Sequence, residues 1–547
     1  MGSGIKSMQS VSRALVVALL TGASALPTAQ TAYAAQSAPN TADAKIEALE
    51  GQVKDLSAQV QDLKQSTGNE YTDLQKQQTS ATKVTITNGR PTIASADGDF
   101  TASVRALVQL DLAYYGQTAA ATSLPASYGP DLSSGANFRR AQLGLQGKVF
   151  GDWSYLFNYE FGGSGGSKST NHIQSVYLQY DGLAPLVLRV GAFATPANVE
   201  DGTSSGDTIF LERNSPSNLQ RGLAGGDGRY SATLLYAGDR LFGALSYTGA
   251  KLSDNSDFDA QQAVVGRVSD LVYVSSNARL LLGLNGTYIV KLADAVASGG
   301  PTLATTPGAT ALNSVTLSDT PELTVDSNGI KLANTGSMPA NHISQWGVET
   351  AGNWKNFYVQ SGYFDFEVDR ASTAYKSYSS ASATATTIIR PNNDQFSGWY
   401  VQTSWVLTGE SKSYSAANGA FTPPRPATPF TMLQRGWGAW ELAARYSDLN
   451  LNDHVLDPAY VITNWTGAST KTYTFYNTVR GGDQRIATVG LNWYPNNGVR
   501  FTLDYQWTDV NRLQIPVAVT TTGMPTLPTL NGGQNIQTIA MRFQIGF

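Results

Sequence analysis

The sequence predicts an all-β fold: a 16-stranded antiparallel transmembrane β-barrel preceded by a short α-helical coiled coil. Three observations predict it. From Arg140 to Phe161, residues alternate strictly between an apolar set (Ala141, Leu143, Leu145, Val149, then Trp153, Tyr155, Phe157, Tyr159) and a polar one, broken only by Gly151-Asp152. That is a hairpin of two strands, each with two unlike environments and each close to the roughly 9 to 11 residues a tilted strand needs to cross a bilayer. Charged residues make up only 14% of the chain, against about 25% in ordinary soluble domains, so much of each strand is not meeting water. Finally, the connections between such strands alternate between long and short, as in outer-membrane barrels with their external loops and periplasmic turns.

The elements follow in order. Lys6 and Arg13 precede an apolar run from Ala14 to Leu20, and Ala32-Tyr33-Ala34 offers a cleavage site, so residues 1–34 read as a secretory signal peptide. Residues 35–78 read as a periplasmic coiled-coil segment, since Ile46, Leu49, Val53, Leu56, Val60 and Leu63 recur at alternating spacings of three and four with polar residues between them. A helix packing on its own barrel is the competing reading of the same pattern. Residues 79–98 form a polar linker, and 99–547 form the barrel. Its strands are expected near 100–112, 140–149, 153–161, 173–181, 186–193, 229–237, 241–249, 262–269, 279–290, 343–354, 357–367, 396–408, 438–448, 485–493, 499–508 and 536–547. The count is even, as closure with both termini on the turn side requires. One even-numbered connection, Gly409 to Trp437, is long and Pro-rich where a short turn is expected. The last strand ends Ile539, Met541, Phe543, Ile545, Phe547, a lipid-facing parity with a terminal aromatic, similar to the C-terminal signal of bacterial outer-membrane proteins.

Assigning the apolar parity to lipid puts the other parity in the lumen. Arg105, Arg140, Lys148, Arg189, Arg229, Arg267, Arg279, Arg445, Arg500 and Arg542 fall there, with Asp111, Glu160, Glu349, Glu441 and Asp504. Cationic rings favour anions in a narrow pore, and replacing Arg140 or Arg500 by Ala is expected to lower anion preference. The alternative is that these arginines pair with lumenal acids and brace the wall. A barrel of this width has a water-filled interior, so something must set the bore. The loop Ala194 to Gly228 is the expected constriction: Pro196 and its glycines keep it from being a strand, while Phe210 and Leu211 give it something to bury by folding inward. Glu212, Arg213 and Arg221 then stand at the narrowing.

Other chemistry is not expected. A formal charge of −4 and the absence of cysteine argue against nucleic-acid binding, disulfides and thiolate metal sites. His172, His342 and His454, all placed in loops, share no metal-binding spacing. In Gly162 to Ser169, Ser167 stands where a phosphate-binding loop needs glycine before Lys168. No Ser-His pair or acid-base pair of carboxylates is evident, so no catalytic residue, metal or cofactor is assigned.

Five blocks carry a resemblance: "NFRRAQLGLQGKVFGDWSYLFNYEF", "LRVGAFATPANVEDGTSSGDTIFLERNSP", "GWYVQTSWVLTGE", "GAWELAARYSDLNLND" and "VGLNWYPNNGVRFTLDYQ". In this order, across about 99–547, they resemble the phosphate-selective porin O and P family. The resemblance implies a 16-stranded, homotrimeric porin in the outer membrane of a Gram-negative bacterium. It implies a third loop that narrows the channel, basic residues guiding phosphate or polyphosphate, and a long turn after "SWVLTGE". The family's lysines at the constriction are not matched: loop 194–228 has none, and its two arginines face five acids, a net −3. The expected function is a water-filled, anion-preferring channel for passive diffusion of small hydrophilic solutes, with outer-membrane lipid around the barrel. The alternative is a structural protein that tethers envelope layers through a periplasmic contact of its coiled coil.

Overall fold

The computed structural model describes residues 42–547 apart from 88, 118–130, 164–170, 253–259, 294–312, 372, 379–383, 390–392, 434–435, 456–457, 467–468, 477–478, 515–529 and 532. The signal-peptide assignment and most of the glycine-rich stretch around Lys168 lie outside the described residues. The described residues divide into two units, one up to Thr79 and one from Ser80 onward. In the first, α1 (Ala42–Ser80) is one continuous helix of 39 residues, longer than the heptad run that announces it. Its seam residues Ile46, Leu49, Val53, Leu56, Val60 and Leu63 are all more than half exposed. No helix among the described residues is long and apolar enough to cross a membrane.

The second unit is a closed antiparallel barrel. Its strands are β1 (Thr101–Gln117), β2 (Gly135–Val149), β3 (Trp153–Glu160), β4 (His172–Leu183), β5 (Leu186–Ala192), β6 (Arg229–Ala237), β7 (Leu241–Lys251) and β8 (Gln262–Val274). They continue as β9 (Ala278–Lys291), β10 (Met338–Trp354), β11 (Phe357–Arg370), β12 (Asp394–Val406), β13 (Ala439–Asp453), β14 (Val479–Asn496), β15 (Val499–Asn511) and β16 (Gln534–Gly546). Each pairs with its sequence neighbour, and β16 closes on β1 from Ile536↔Gln117 to Gly546↔Leu107. All sixteen expected strands are present. Several run further on the loop side than lipid contact requires, β1 to Gln117 and β14 from Val479, because beyond the membrane the ladder continues without an apolar face to mark it.

Two expectations are corrected here. The linker 79–98 contains a hairpin, Lys83–Thr87 with Arg90–Ala94, whose second strand pairs Thr92, Ile93 and Ala94 with the start of β1. His172 and His342 lie on β4 and β10 rather than in loops.

The outward face is apolar and ends in an aromatic girdle on the turn side, as membrane barrels require. Phe357 stacks on Trp405, Trp440 on Trp493, and Trp493 on Phe501, with ring centroids 5.2 to 5.5 Å apart. The inward face is not uniformly polar. On β11 and β12 it carries Phe364, Phe366, Val368, Phe396 and Tyr400, all buried, and these pack with Leu219 and Leu223 of a helix inside the barrel.

Candidate pore and its constriction

That helix is α2 (Ser215–Ala224), within the third loop, L3 (193–228). The Asn214 side chain accepts from Ser217 N–H at 2.9 Å, proline stands in the first turn, and Gly225 ends the helix by donating to the Arg221 carbonyl. Asn-Ser-Pro is a start signal that the expectation of an irregular loop passed over. Ahead of α2, L3 runs through the lumen, and lumenal side chains hold its backbone. Arg500 donates to the carbonyls of Thr208 and Ile209 at 2.5 and 2.6 Å. Arg542 donates to the Leu211 carbonyl at 2.5 Å and Arg445 to the Glu212 carbonyl at 2.9 Å. The Leu211 N–H donates to Asp504 at 3.0 Å and the Val199 N–H to Glu349 at 2.8 Å. Phe210 and Leu211 are buried as their chemistry suggests, Phe210 beneath the Arg445 guanidinium at 4.4 Å. At Gly490 a Cβ would come within 3.1 Å of the Phe210 ring, so a hydrogen there is what admits the loop.

Two further segments turn inward. L5 (292–337) reaches across so that Glu322 accepts from Arg445 at 2.5 Å, Ser447 at 2.6 Å and the Ser215 N–H at 2.8 Å. The long turn, T6 (407–438), is no exception once its course is known. Arg267 donates to the carbonyls of Asn418 and Gly419 at 3.1 and 2.6 Å and pairs with Glu349 at 2.7 Å, while Lys412 pairs with Glu441 at 2.8 Å. T6 is long because part of it lines the inside.

Of the ten predicted cations, Arg279 is half-buried at the turn-side start of β9, and the other nine fall into two groups. Arg140, Arg229, Arg267, Arg445, Arg500 and Arg542 are buried, and their donors are directed at protein acceptors. Arg140 donates to Gln109 at 2.6 Å, and Arg229 to the carbonyls of Gly225 and Gly249 at 2.7 Å. Arg542 makes a two-pronged pair with Asp111, its cross-strand partner, at 2.6 and 2.7 Å. Arg213 and Arg221 close L3 on itself: Arg221 bridges Asp201 and Asp227 at 2.5 Å each, and Arg213 donates to the Thr203 carbonyl at 2.9 Å. Arg105, Lys148 and Arg189 differ. Arg105 and Arg189 are half-buried and Lys148 exposed, on the inner faces of β1, β2 and β5, and among the described residues none of the three has a carboxylate within 4 Å. Arg189 donates to Gln179 at 2.7 Å and lies over the Tyr177 ring at 4.5 Å. α2 packs against β8, β9 and β11 to β13, across the lumen from these three residues' strands.

One functional residue escaped sequence reasoning. Arg139 neighbours Arg140 and on simple alternation points to lipid, yet it is buried and pairs with Glu212, one contact at 2.9 Å. The register slips there: Gln109 faces Arg140 while Leu110 faces Phe138, leaving Arg139 as the extra residue of a β-bulge. Two consecutive arginines inside a membrane strand are the available signal, because one of them must otherwise face hydrocarbon. Burial would raise the Glu212 carboxyl, but Arg139, Arg140 and Arg542 hold it well below its ordinary value.

Above and below L3 lie two chambers. The loop-side chamber, about 520 Å³, is lined by Arg213, Arg221, Asp227, Asp319 and Lys331 among others. The turn-side chamber, about 510 Å³, is lined by Arg90, Arg105, Arg425, Arg500 and Asp207. Arg90 belongs to the hairpin that precedes the barrel.

With a sixteen-stranded wall, inward loops and an aromatic girdle established, comparison with known proteins decides the family. The family description "Phosphate-selective porin O and P" matches residues 119–526. The chain belongs to that family. It is similar to Porin O of Pseudomonas aeruginosa, 25% identical over 388 residues that cover 68% of this chain and 76% of that one. Among solved structures it is similar to OmpT of Vibrio cholerae in its trimer form (TM-score 0.40, 8% identity, 82% of this chain and 99% of that one). It is also similar to the anion-selective porin from Comamonas acidovorans (TM-score 0.40, 9% identity, 82% and 99%). The porin is thus an outer-membrane channel of a Gram-negative bacterium.

Proposed function

We propose that this porin passes small hydrophilic anions of the phosphate type by diffusion, without turnover, and works as a homotrimer delivered by its signal peptide. The reading rests on Arg105, Arg189 and Lys148, on the inner faces of β1, β5 and β2, which have no carboxylate within 4 Å among the described residues. Arg90 and Arg425 extend this set into the turn-side chamber. The buried arginines act differently: they hold L3, L5 and T6 in place and so fix the bore. Family membership and the relation to Porin O favour an anion.

Reversal potentials in a salt gradient test it. The native channel is expected to favour chloride over potassium, and phosphate to block part of the chloride current. Replacing Arg105, Arg189 and Lys148 together by Gln is expected to move the reversal potential toward zero. Cation preference in the native channel would end the anion reading.

The exposed seam of α1 favours a second role. Ile46, Leu49, Val53 and Leu56 in register with copies of themselves form a short coil in the periplasm, which supports assembly and an envelope contact. Deleting Asp43 to Gln78 separates the roles: unchanged conductance with envelope defects assigns the helix to tethering.

A further inference from the structure

Three neighbouring strands end close together on the loop side: β11 with Arg370, β12 beginning at Asp394, and β13 with Asp453, followed by His454. A carboxylate oxygen of Asp394, one of Asp453 and a ring nitrogen of His454 all lie within 4.8 Å of one another. Asp394 has no exposed surface. One of its oxygens accepts from Arg370 Nη1 at 2.5 Å; the other, Oδ1, is buried and has no hydrogen-bond partner. One Asp453 oxygen lies 2.9 Å from His454 Nδ1, and the other accepts from the Gln395 N–H at 2.9 Å.

A buried carboxylate oxygen without a partner is costly, and native proteins rarely leave one so. The local charge is also short of balance: two carboxylates, Asp394 and Asp453, stand beside one guanidinium, that of Arg370. Both deficits are met by a divalent cation. We propose that Asp394, Asp453 and His454 form a divalent-metal site that fastens the loop-side ends of β11, β12 and β13. The donor set, one imidazole nitrogen and two carboxylate oxygens, suits zinc or a similar borderline ion with water in the fourth position. Calcium and magnesium prefer oxygen alone. Ligand distances of about 2.0 to 2.2 Å to zinc require the three groups to draw together around the ion. Arg370 stays on the outer oxygen of Asp394 and orients it. The sequence hides this arrangement because Asp394 stands 59 positions before Asp453 and only the barrel brings them side by side. The site is independent of the solute the channel prefers.

The test is zinc titration by calorimetry on the full, tag-free protein, purified in detergent and stripped with EDTA. One saturable zinc site per chain is expected, not displaced by excess magnesium. Since losing even an outer-shell partner costs about 10- to 100-fold in metal affinity, Asp394→Asn and His454→Gln should each weaken zinc at least about tenfold. His172→Gln and His342→Gln should not. Each variant is first checked for heat-modifiable mobility on gels, the sign of a folded barrel. If Asp394→Asn fails that check, His454→Gln, at the exposed edge of the cluster, decides alone. Absence of saturable zinc binding to the native protein, or unchanged affinity in His454→Gln, overturns the proposal.

Discussion

Arg542→Ala separates bracing from conduction most sharply. The side chain is 3% exposed and makes four contacts: two to Asp111, one to the Leu211 carbonyl and one to Glu212 at 3.2 Å. Asp111 is 1% exposed, so truncation leaves a buried carboxylate unpaired, a change that costs about 3 to 5 kcal/mol. Glu212 keeps Arg139, and the upstream part of L3 keeps Arg500, so the loop does not fall away as a whole. Its stretch from Leu211 to Arg213 loses its anchor on β16. If about 3 kcal/mol of the cost appears as local release, the detached population rises about a hundredfold, at tenfold per 1.4 kcal/mol. Single-channel recordings should then show larger, noisier openings with little change in reversal potential. Asp111→Asn combined with Arg542→Met removes both charges, and since replacing a buried pair outright is often nearly neutral, the double variant should be quieter than Arg542→Ala. Because Asp111 and Arg542 face each other across the closing seam, urea resistance should fall and recover in parallel. Native-like conductance and noise in Arg542→Ala, or a double variant no quieter than the single one, would refute the bracing role.

Other predictions follow from the same division. Arg500→Ala should enlarge conductance more than it lowers anion preference, whereas Arg105→Gln should do the reverse. A unit charge about 8 Å from a path through water contributes about 0.5 kcal/mol, roughly a twofold change in local anion population before salt screening. Burial pushes the Glu200 carboxyl up to about 7, opposed by Arg445 and Arg213. An acid raised in the folded state favours packing while it is protonated, and that contribution is lost as pH rises from about 4.5 toward 7. L3 gating noise should therefore increase from pH 5 to 8, and Glu200→Gln should flatten the dependence. Val53→Cys, in a chain that has no other cysteine, should form disulfide-linked copies on mild oxidation if α1 pairs with itself, while leaving conductance unchanged.

The wall was legible in the sequence because lipid on one side and water on the other impose a period of two, and sixteen runs of that period survive without an alignment. The contents of the lumen were legible only in part. Phe210-Leu211 in a Gly- and Pro-rich loop announced that L3 turns inward, since two apolar residues there have nowhere else to go. Glu322 of L5 and Lys412 of T6 gave no such notice, being polar residues in polar stretches. Parity told which way Arg445 and Arg500 point but not what they meet. A sign was present on the strands themselves: Phe364, Phe366 and Phe396 sit on the lumenal parity, where a face open to water would not hold them. At Arg139 the rule of two failed outright, because one inserted residue rotates its side chain across the sheet.

Asp207 decides how strongly the free cations act. Of the five acids in L3, Glu212 is matched by Arg139 and Arg542, Asp201 and Asp227 by Arg221, and Glu200 by Arg445 at 4.0 Å. Asp207 alone has no basic group within 4 Å among the described residues, and it shares the turn-side chamber with Arg90 and Arg105. Burial raises its carboxyl above the ordinary value, against the pull of Arg500, Lys412, Arg90 and Arg105. It therefore loses its charge at a higher pH than an exposed aspartate, and the chamber grows more cationic as pH falls. Asp207→Asn should strengthen anion preference at neutral pH and remove the part of the acid-side increase that the native channel shows. The effect should shrink in high salt, since the charges interact across water. Reversal potentials measured from pH 4 to 8 at two salt concentrations check this, and an Asp207→Asn channel that matches the native one at every pH would mean that the chamber does not select ions.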